Sequence, residues 1–298
     1  MHTRRNILAA STLALVVALG ASGSTLAAPF DTSGIAVDEA LAARVPAKIR
    51  EAGVLIGGSD NAYAPWEYLA GPDGQTPEGI DIDIANAITA KWGLKYESQT
   101  SPFDAILPAL GTKYDVGISA LSISKERMQV VNFVSYFLSG SLWAVKAGNP
   151  TNFNPEDICG THLALQSGTW HETTVMAESD ACVAAGKPAI EILPFGLQTE
   201  ALTRVAAGGA DATISGDSQI ALAAKQSEGT LETLPAVGVL GESGLNGIAV
   251  PKNDPEFAQL IADTLNVLIE DGTYAKLLAE WGLEVSVAKA EVNPAVDY

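Results

Sequence analysis

The chain has 298 residues, 47% of them hydrophobic and 17% charged, enough apolar material for one large domain or two ordinary ones. Lys and Arg number 17 against 35 Asp and Glu, a formal charge of −18, which argues against nucleic acid or an anionic membrane surface as a partner. With two cysteines and three histidines, an all-cysteine zinc site is impossible and a mixed site would use nearly every candidate, so neither a metal nor a cofactor is expected.

Residues 1–28 read as a signal peptide. Arg4 and Arg5 form a positive start, residues 7–19 are largely apolar, and Thr25-Leu26-Ala27 places small residues before a cut near Ala27. The apolar stretch is short of the ~20 residues a spanning helix needs. Thr3-Arg4-Arg5-Asn6-Ile7-Leu8 also resembles a twin-arginine signal, so either general or twin-arginine export fits. The mature protein is expected in the periplasm, more acidic still for the loss of two arginines.

Residues 37–51 form an amphipathic helix interrupted at Pro46 and ended by Gly53. Residues 54–57 read as a buried strand. The segment 79–83 alternates with period two and leads into a helix over 84–92, and a short helix over 103–110 precedes a strand at 115–119. Residues 161–166, 190–194 and 211–214 read as further strands. Phe257, Leu260, Ile261, Leu265 and Leu268 fall at helical spacing, and the tail 285–298 is patternless and peripheral. Cys159 and Cys182 enclose 22 residues, and export favours their pairing as a structural staple worth roughly 3 kcal/mol in the chain-entropy model.

Strands alternating with helices mean an α/β fold with largely parallel sheet, in which ligands sit in the loops after strand carboxyl ends. The usual catalytic signatures are missing: no GxGxxG follows a strand, and neither a P-loop nor a GxSxG elbow occurs. His162 sits in an apolar strand and reads as a packed core residue, whereas His171 follows Trp170 in a loop.

The loops after the strands hold the candidate chemistry. Asp60, three residues before Tyr63, sets an acceptor for a cation beside an aromatic face, although by itself the loop fits better as one whose aromatics merely cap the core. Ser119 and Ser122 precede Arg127 at a helix start, a combination suited to a carboxylate, although an Arg in a surface salt bridge fits as well. Gln166-Ser167-Gly168-Thr169 opens another helix, and Ser215-Gly216-Asp217 adds a second carboxylate. One anion site and two carboxylates describe a receptor for a zwitterion.

The chain resembles the periplasmic solute-binding proteins of the polar amino-acid class (family 3), receptors of ABC importers. The resemblance runs from about Gly53 to Gly282. It is carried by Tyr63-Ala64-Pro65-Trp66-Glu67, Gly79-Ile80-Asp81-Ile82-Asp83-Ile84, Phe103-Asp104-Ala105-Ile106, Lys125-Glu126-Arg127, Gly247-Ile248-Ala249-Val250-Pro251 and Asp271-Gly272-Thr273-Tyr274. The insertion bounded by Cys159 and Cys182 resembles a disulfide-bearing branch.

The resemblance implies a two-lobed type II fold with two crossings, closing on its ligand like a hinge. Lobe one would be 29–139 plus 242–298 and lobe two 140–241. It implies that Arg127 clamps the ligand α-carboxylate with Ser122 and Thr169, and that Asp217 holds the α-ammonium. Asp60 would select the side chain between Tyr63 and Phe103, with Ser119 at the pocket floor. Three departures bear on specificity: Asp217 lies six residues after Asp211 rather than five, Trp66 and Trp170 are bulky, and Ala120 replaces a hydroxyl.

The expectation is therefore a monomeric receptor for a polar amino acid, with Arg, Lys, ornithine, His and Gln all open, delivering it to ABC permease membrane subunits. An opine or betaine-like derivative is an alternative ligand. A second class is a cyclohexadienyl dehydratase-like enzyme using Glu172 or Asp217 as acid, and a third is a sensor module built on the same binding site.

Overall fold

The computed structural model describes residues 26–297; the expected signal peptide lies outside the described residues except for 26–28. Two short helices, Glu39–Ala42 and Ala47–Ala52, are split at Pro46, and Gly53 closes the second in the left-handed region (φ 72°).

Lobe one carries β1 (Val54–Ser59), β2 (Ala62–Tyr63), β3 (Glu67–Ala70), β4 (Thr76–Glu78), β5 (Lys95–Thr100), β6 (Val116–Gly117) and β7 (Val131–Ser139). Lobe two carries β8 (Ser141–Lys146), β9 (His162–Gln166), β10 (Glu191–Phe195), β11 (Ala212–Gly216) and β12 (Leu231–Pro235), and β13 (Gly244–Pro251) returns to lobe one. The two large sheets have the orders β5-β1-β6-β13-β7 and β10-β9-β11-β8-β12, and β2-β3-β4 form a small antiparallel sheet. Each large sheet is parallel but for one strand, β13 in the first and β8 in the second. These are the strands by which the chain enters one lobe from the other. β7 passes to β8 through Gly140, and β12 passes to β13 by way of the 3-10 turn Gly238–Gly241.

Both sheets are buried on two faces, as parallel sheets must be. In lobe two, Trp143, Leu163 and Leu165 pack on one side with Val175, while Ala144 and Ala164 face Ala201, Val205 and Ile220 on the other. In lobe one, Leu55, Val116 and Ile248 pack against Ile80, Ile84 and Ile88 of helix Ile80–Lys91 and against Leu260 and Leu265 of helix Pro255–Glu270. The disulfide joins Cys159 to Cys182 with Cα atoms 5.7 Å apart, pinning the loop before β9 to helix Trp170–Ala184.

Four local expectations are corrected. Residues 80–83 are helical. Gly79, at φ 130°, turns the chain so tightly against Trp66 that a Cβ would strike its carbonyl oxygen. The first helical N–H groups then find acceptors outside the helix, Ile80 N–H donating to Pro65 O (3.1 Å) and Asp81 N–H to Trp66 O (2.9 Å). The alternation misled because a helix packed on most sides buries Ile82 and both aspartates as well. Second, the expected strand 115–119 pairs only over Val116–Gly117. Third, His162 is no core residue. As the first residue of β9 it projects past the sheet end, half-exposed, with ring nitrogens 3.3 Å from both Glu191 and Asp211 carboxylates.

Fourth, the tail is not peripheral. Asn293 N–H donates to Phe133 O (2.8 Å), Glu291 N–H to Ser135 Oγ (3.0 Å), and Leu138 N–H to Ser286 Oγ (2.8 Å), so residues 286–293 lie along the outer edge of β7. Lys125 then donates to the Asp297 carbonyl (2.7 Å). An edge strand presents unpaired backbone groups, and here the chain's own end covers them.

Candidate functional site

Four loops meet between the lobes, each following the carboxyl end of a strand: Asp60-Asn61 after β1, Ser119 to Arg127 after β6, Ser167 to Thr169 after β9, and the turn from β11 into helix Asp217–Gln226. Tyr63, Phe103, Ser119, Ala120 and Ser122 of lobe one and Gln166, Thr169, Trp170, His171 and Ser215 of lobe two line one cavity. It encloses about 30 Å³, far less than an amino acid, so entry of such a ligand requires the lobes to part. Five of the eight residues expected at the site are brought together in this lining. Asp60, Arg127 and Asp217 stand outside it.

Asp60 lies at the seam. Its Oδ2 accepts from Gln166 Nε2 across the lobes (3.0 Å), its N–H donates to Ser119 Oγ (3.0 Å), and its Oδ1 is buried without a partner. Burial pushes its carboxyl up to about 6, although the Gln166 hydrogen bond pulls the other way.

Arg127 straddles the lobes. Nη1 donates to Ser122 O (2.8 Å) in its own lobe and Nη2 to Gly168 O (2.7 Å) in the other, with the guanidinium 5.8 Å from the Phe103 ring centre. Beyond it lies a groove lined by Gly168, Trp170, Thr173 and Thr174, so Arg127 and Trp170 separate cavity from surface.

Asp217 is turned toward the hinge. Oδ2 accepts from Gly140 N–H (3.1 Å) at the first crossing and Oδ1 from Ser218 N–H (2.6 Å), while Asp217 N–H donates to Gly140 O (3.0 Å). In this turn Ser215 faces the cavity, Gly216 ends β11, and the Asp217 carboxylate lies at the first crossing.

Thr169 caps helix Trp170–Ala184, its Oγ1 accepting from Glu172 N–H (3.1 Å). Glu172 reaches back to Gly168 N–H (2.7 Å). Tyr63 closes the opposite wall, its hydroxyl 2.6 Å from Ser215 Oγ and accepting from Gly216 N–H (3.0 Å); burial pushes the phenol up to about 12.

Sequence reasoning placed Gln166 and Ser215 in the strand-end loops but gave neither a role; Gln166 closes β9 and Ser215 is the residue before Gly216, the last of β11. It also placed His171 in a loop. The residue occupies the first turn of the helix, buried, with Nε2 2.9 Å from Ser141 Oγ just past the first crossing. Burial, then the nearby Arg127 charge, lowers its pKa to about 4, so the ring is neutral at physiological pH. Trp66 does not narrow the cavity. It packs in lobe one against Tyr136 and Phe137 and donates Nε1–H to Ser218 Oγ of lobe two (2.9 Å).

Behind Ser119 the lobe-one wall is acidic. Ser119 Oγ donates to Glu67 Oε1 (2.5 Å), and Asp81 accepts from Ala120 N–H and from Tyr136 hydroxyl, both at 2.7 Å. Asp60, Glu67 and Asp81 are all buried. Among the described residues, no group of three or more His, Cys, Asp or Glu is placed to hold a metal.

Residues 55–284 match the family model of bacterial extracellular solute-binding proteins, family 3. An arginine-binding protein of Corynebacterium glutamicum is 32% identical over 245 residues, covering 81% of this chain and 78% of its own length. A solved ancestral arginine-binding protein bound to arginine superposes with a TM-score of 0.68 at 30% identity, covering 77% of this chain and 98% of that one. A solved ancestral amino-acid-binding protein described as a precursor of cyclohexadienyl dehydratase gives a TM-score of 0.65 at 28% identity, over 78% and 97%.

Proposed function

Because this chain belongs to the bacterial extracellular solute-binding proteins of family 3, we propose that it is an extracytoplasmic receptor that binds a cationic L-amino acid of the arginine class between its lobes. It delivers that ligand to the membrane subunits of an ABC importer, acting as a monomer after its signal peptide is removed near Ala27. The observation that carries the reading is the carboxylate of Asp60. It is buried at the seam with one oxygen unpartnered and the other held by Gln166 of the opposite lobe, and parting the lobes frees it for a cationic side chain. The arginine-binding relatives support the same ligand class.

Hinge closure about the crossings at Gly140 and near Gly241 brings 29–139 plus 242–298 onto 140–241. In the closing cleft Arg127 exchanges backbone carbonyls for the ligand α-carboxylate, a charge-assisted bidentate pairing, with Ser122 and Thr169 beside it. Tyr63 and Phe103 wall the side chain and Ser119 lies at its base. Asp217 reaches the α-ammonium by releasing Gly140. The reading is of a binder rather than an enzyme, supported by relatives that are named as binding proteins; in this structure Glu172 and Asp217, the acids a dehydratase would draw on, accept hydrogen bonds from backbone N–H groups.

Titration calorimetry on protein unfolded and refolded to strip bound solute tests this. Saturable binding of L-arginine, L-lysine or L-ornithine is expected, with weaker or no response to neutral amino acids. Turnover of prephenate or arogenate, or no binding of any cationic amino acid, overturns it.

A further inference from the structure

The carboxyls of Glu67 and Asp81 are both fully buried, and their hydrogen bonds do not balance if both are ionised. Asp81 receives two donors, Tyr136 hydroxyl on Oδ1 and Ala120 N–H on Oδ2. Glu67 receives one, Ser119 hydroxyl on Oε1, and its Oε2 is buried with no donor reaching it. Beyond burial, the largest effect on Glu67, the Asp81 carboxyl acts on it through charge and a side-chain contact, and Asp60 adds further negative charge. Two ionised carboxylates facing one another away from water repel, and neither has a proton to offer the other. A proton on Glu67 Oε2 removes the repulsion and supplies the missing donor.

The surroundings offer no other remedy. The groups that act on or are acted on by the pair are Asp60 after β1, Tyr63 of β2, Tyr96 of β5, Ser119 after β6, Tyr136 of β7 and Tyr274 of helix Thr273–Glu280. None is a cation, and among the described residues neither carboxyl has an ion pair. Burial accordingly holds Glu67 well above the usual carboxylate range and Asp81 at about 7.

We infer that Glu67 and Asp81 hold one proton between them and that this pair is where ligand charge is exchanged for a proton. Ser119 is the link: it lines the cavity, receives the Asp60 N–H and donates to Glu67. This second step rests on the proposed cationic ligand. When a cationic side chain settles at Asp60 it brings the positive charge the wall lacks, the Glu67 O–H bond breaks, and the proton passes to water and buffer. Binding then releases up to one proton per ligand.

Two measurements separate the pair from the ligand. In protein labelled with 13C at glutamate side-chain carboxyls and free of ligand, one resonance is expected to titrate far above the others and to vanish in Glu67→Gln. If every glutamate titrates in the ordinary range, the shared proton is overturned whatever the protein binds. Calorimetry of L-arginine binding at about pH 7 in phosphate and in Tris, buffers of different ionisation enthalpy, is expected to give different apparent enthalpies. That difference should disappear in Glu67→Gln, whose amide supplies the same donor without a titrating proton. Equal enthalpies in both buffers for the unsubstituted protein overturn the exchange while the resonance stands. Failure of L-arginine to bind overturns the exchange together with the receptor reading, and the carboxyl titration still decides the pair.

Discussion

Trp66 of lobe one and Ser218 of lobe two are joined by a hydrogen bond of 2.9 Å from the indole N–H, outside the residues that line the cavity. The indole is anchored edge-on against Phe137 (5.0 Å between ring centres), so the bond forms only when the turn from β11 is brought up to it. It is a contact between the lobes that involves no residue lining the cavity.

Ser218→Ala is expected to weaken ligand binding by about three- to tenfold, the ~1 kcal/mol typical of one net hydrogen bond, with secondary structure and ligand order of preference unchanged. Titration calorimetry reads the affinity. An unaltered Kd would show that the contact does not bias closure.

Replacing Arg127 acts on the ligand and on closure together, since its guanidinium bridges Ser122 and Gly168. Arg127→Ala is expected to cost roughly 2–5 kcal/mol of binding, the range for removing one partner of a buried charged pair. The circular dichroism and cooperative unfolding of the ligand-free protein should persist. Affinity within a few-fold of the parent sinks the clamp assignment.

Asp60 is an internal cost to the ligand-free protein. Its folded pKa of about 6 lies above its ordinary 3.8, so the folded state prefers the protonated form, and the penalty is complete above pH 6 and fades toward pH 4. Asp60→Asn is thus expected to raise stability at neutral pH by on the order of 1–3 kcal/mol while erasing the preference for cationic side chains. Chemical denaturation across pH and a ligand panel check the two halves. Reduced stability with an unchanged ligand profile would remove Asp60 from the selector role.

His171 acts in the opposite sense. Its folded pKa of about 4 lies below the ordinary 6.5, so the unfolded chain binds more protons, and stability is lost as pH falls from 6.5 toward 4. His171→Gln is expected to flatten that acid loss and to leave the carboxyl contributions of Asp60 and Asp81, which make stability fall as pH rises between about 4 and 7. An unchanged acid-unfolding profile in this variant would mean that the ring is solvated and charged in the folded protein.

The α/β, largely parallel sheet was legible in the sequence because it is written in repeated local signals, while the division into two lobes came only with the family resemblance. Apolar runs such as Val54-Leu55-Ile56 and Leu163-Ala164-Leu165 are buried on both faces, and turn or cap residues follow them. Much of the site was legible as loops at strand ends, which is why Tyr63, Ser119, Ser122 and Thr169 converge, whereas Phe103 was supplied by the family resemblance alone. What could not be read were relations between distant segments. Asp217 has the chemistry of an ammonium ligand, yet its carboxylate accepts from Gly140 at the first crossing. The tail carries no periodicity because single side chains and backbone groups, among them Asn293 and Ser286, make its bonds to β7. The pairing of Glu67 with Asp81 depends on Gly79 placing the start of a helix under β3, which no spacing rule encodes.

The position of β13 governs the order in which this molecule can be assembled. Lobe two is drawn from one continuous stretch, 141–235, whereas β13 lies between β6 and β7 and joins them. Until residues 244–251 are delivered, the first lobe is two unjoined fragments of sheet, and its covering helix Pro255–Glu270 follows later still. The lobe that begins the chain is therefore the last to be finished. A chain delivered only as far as β12, on whichever side of the membrane it folds, would carry a completed second lobe inside an open first one, presenting the bare edges of β6 and β7 to whatever binds unfolded protein.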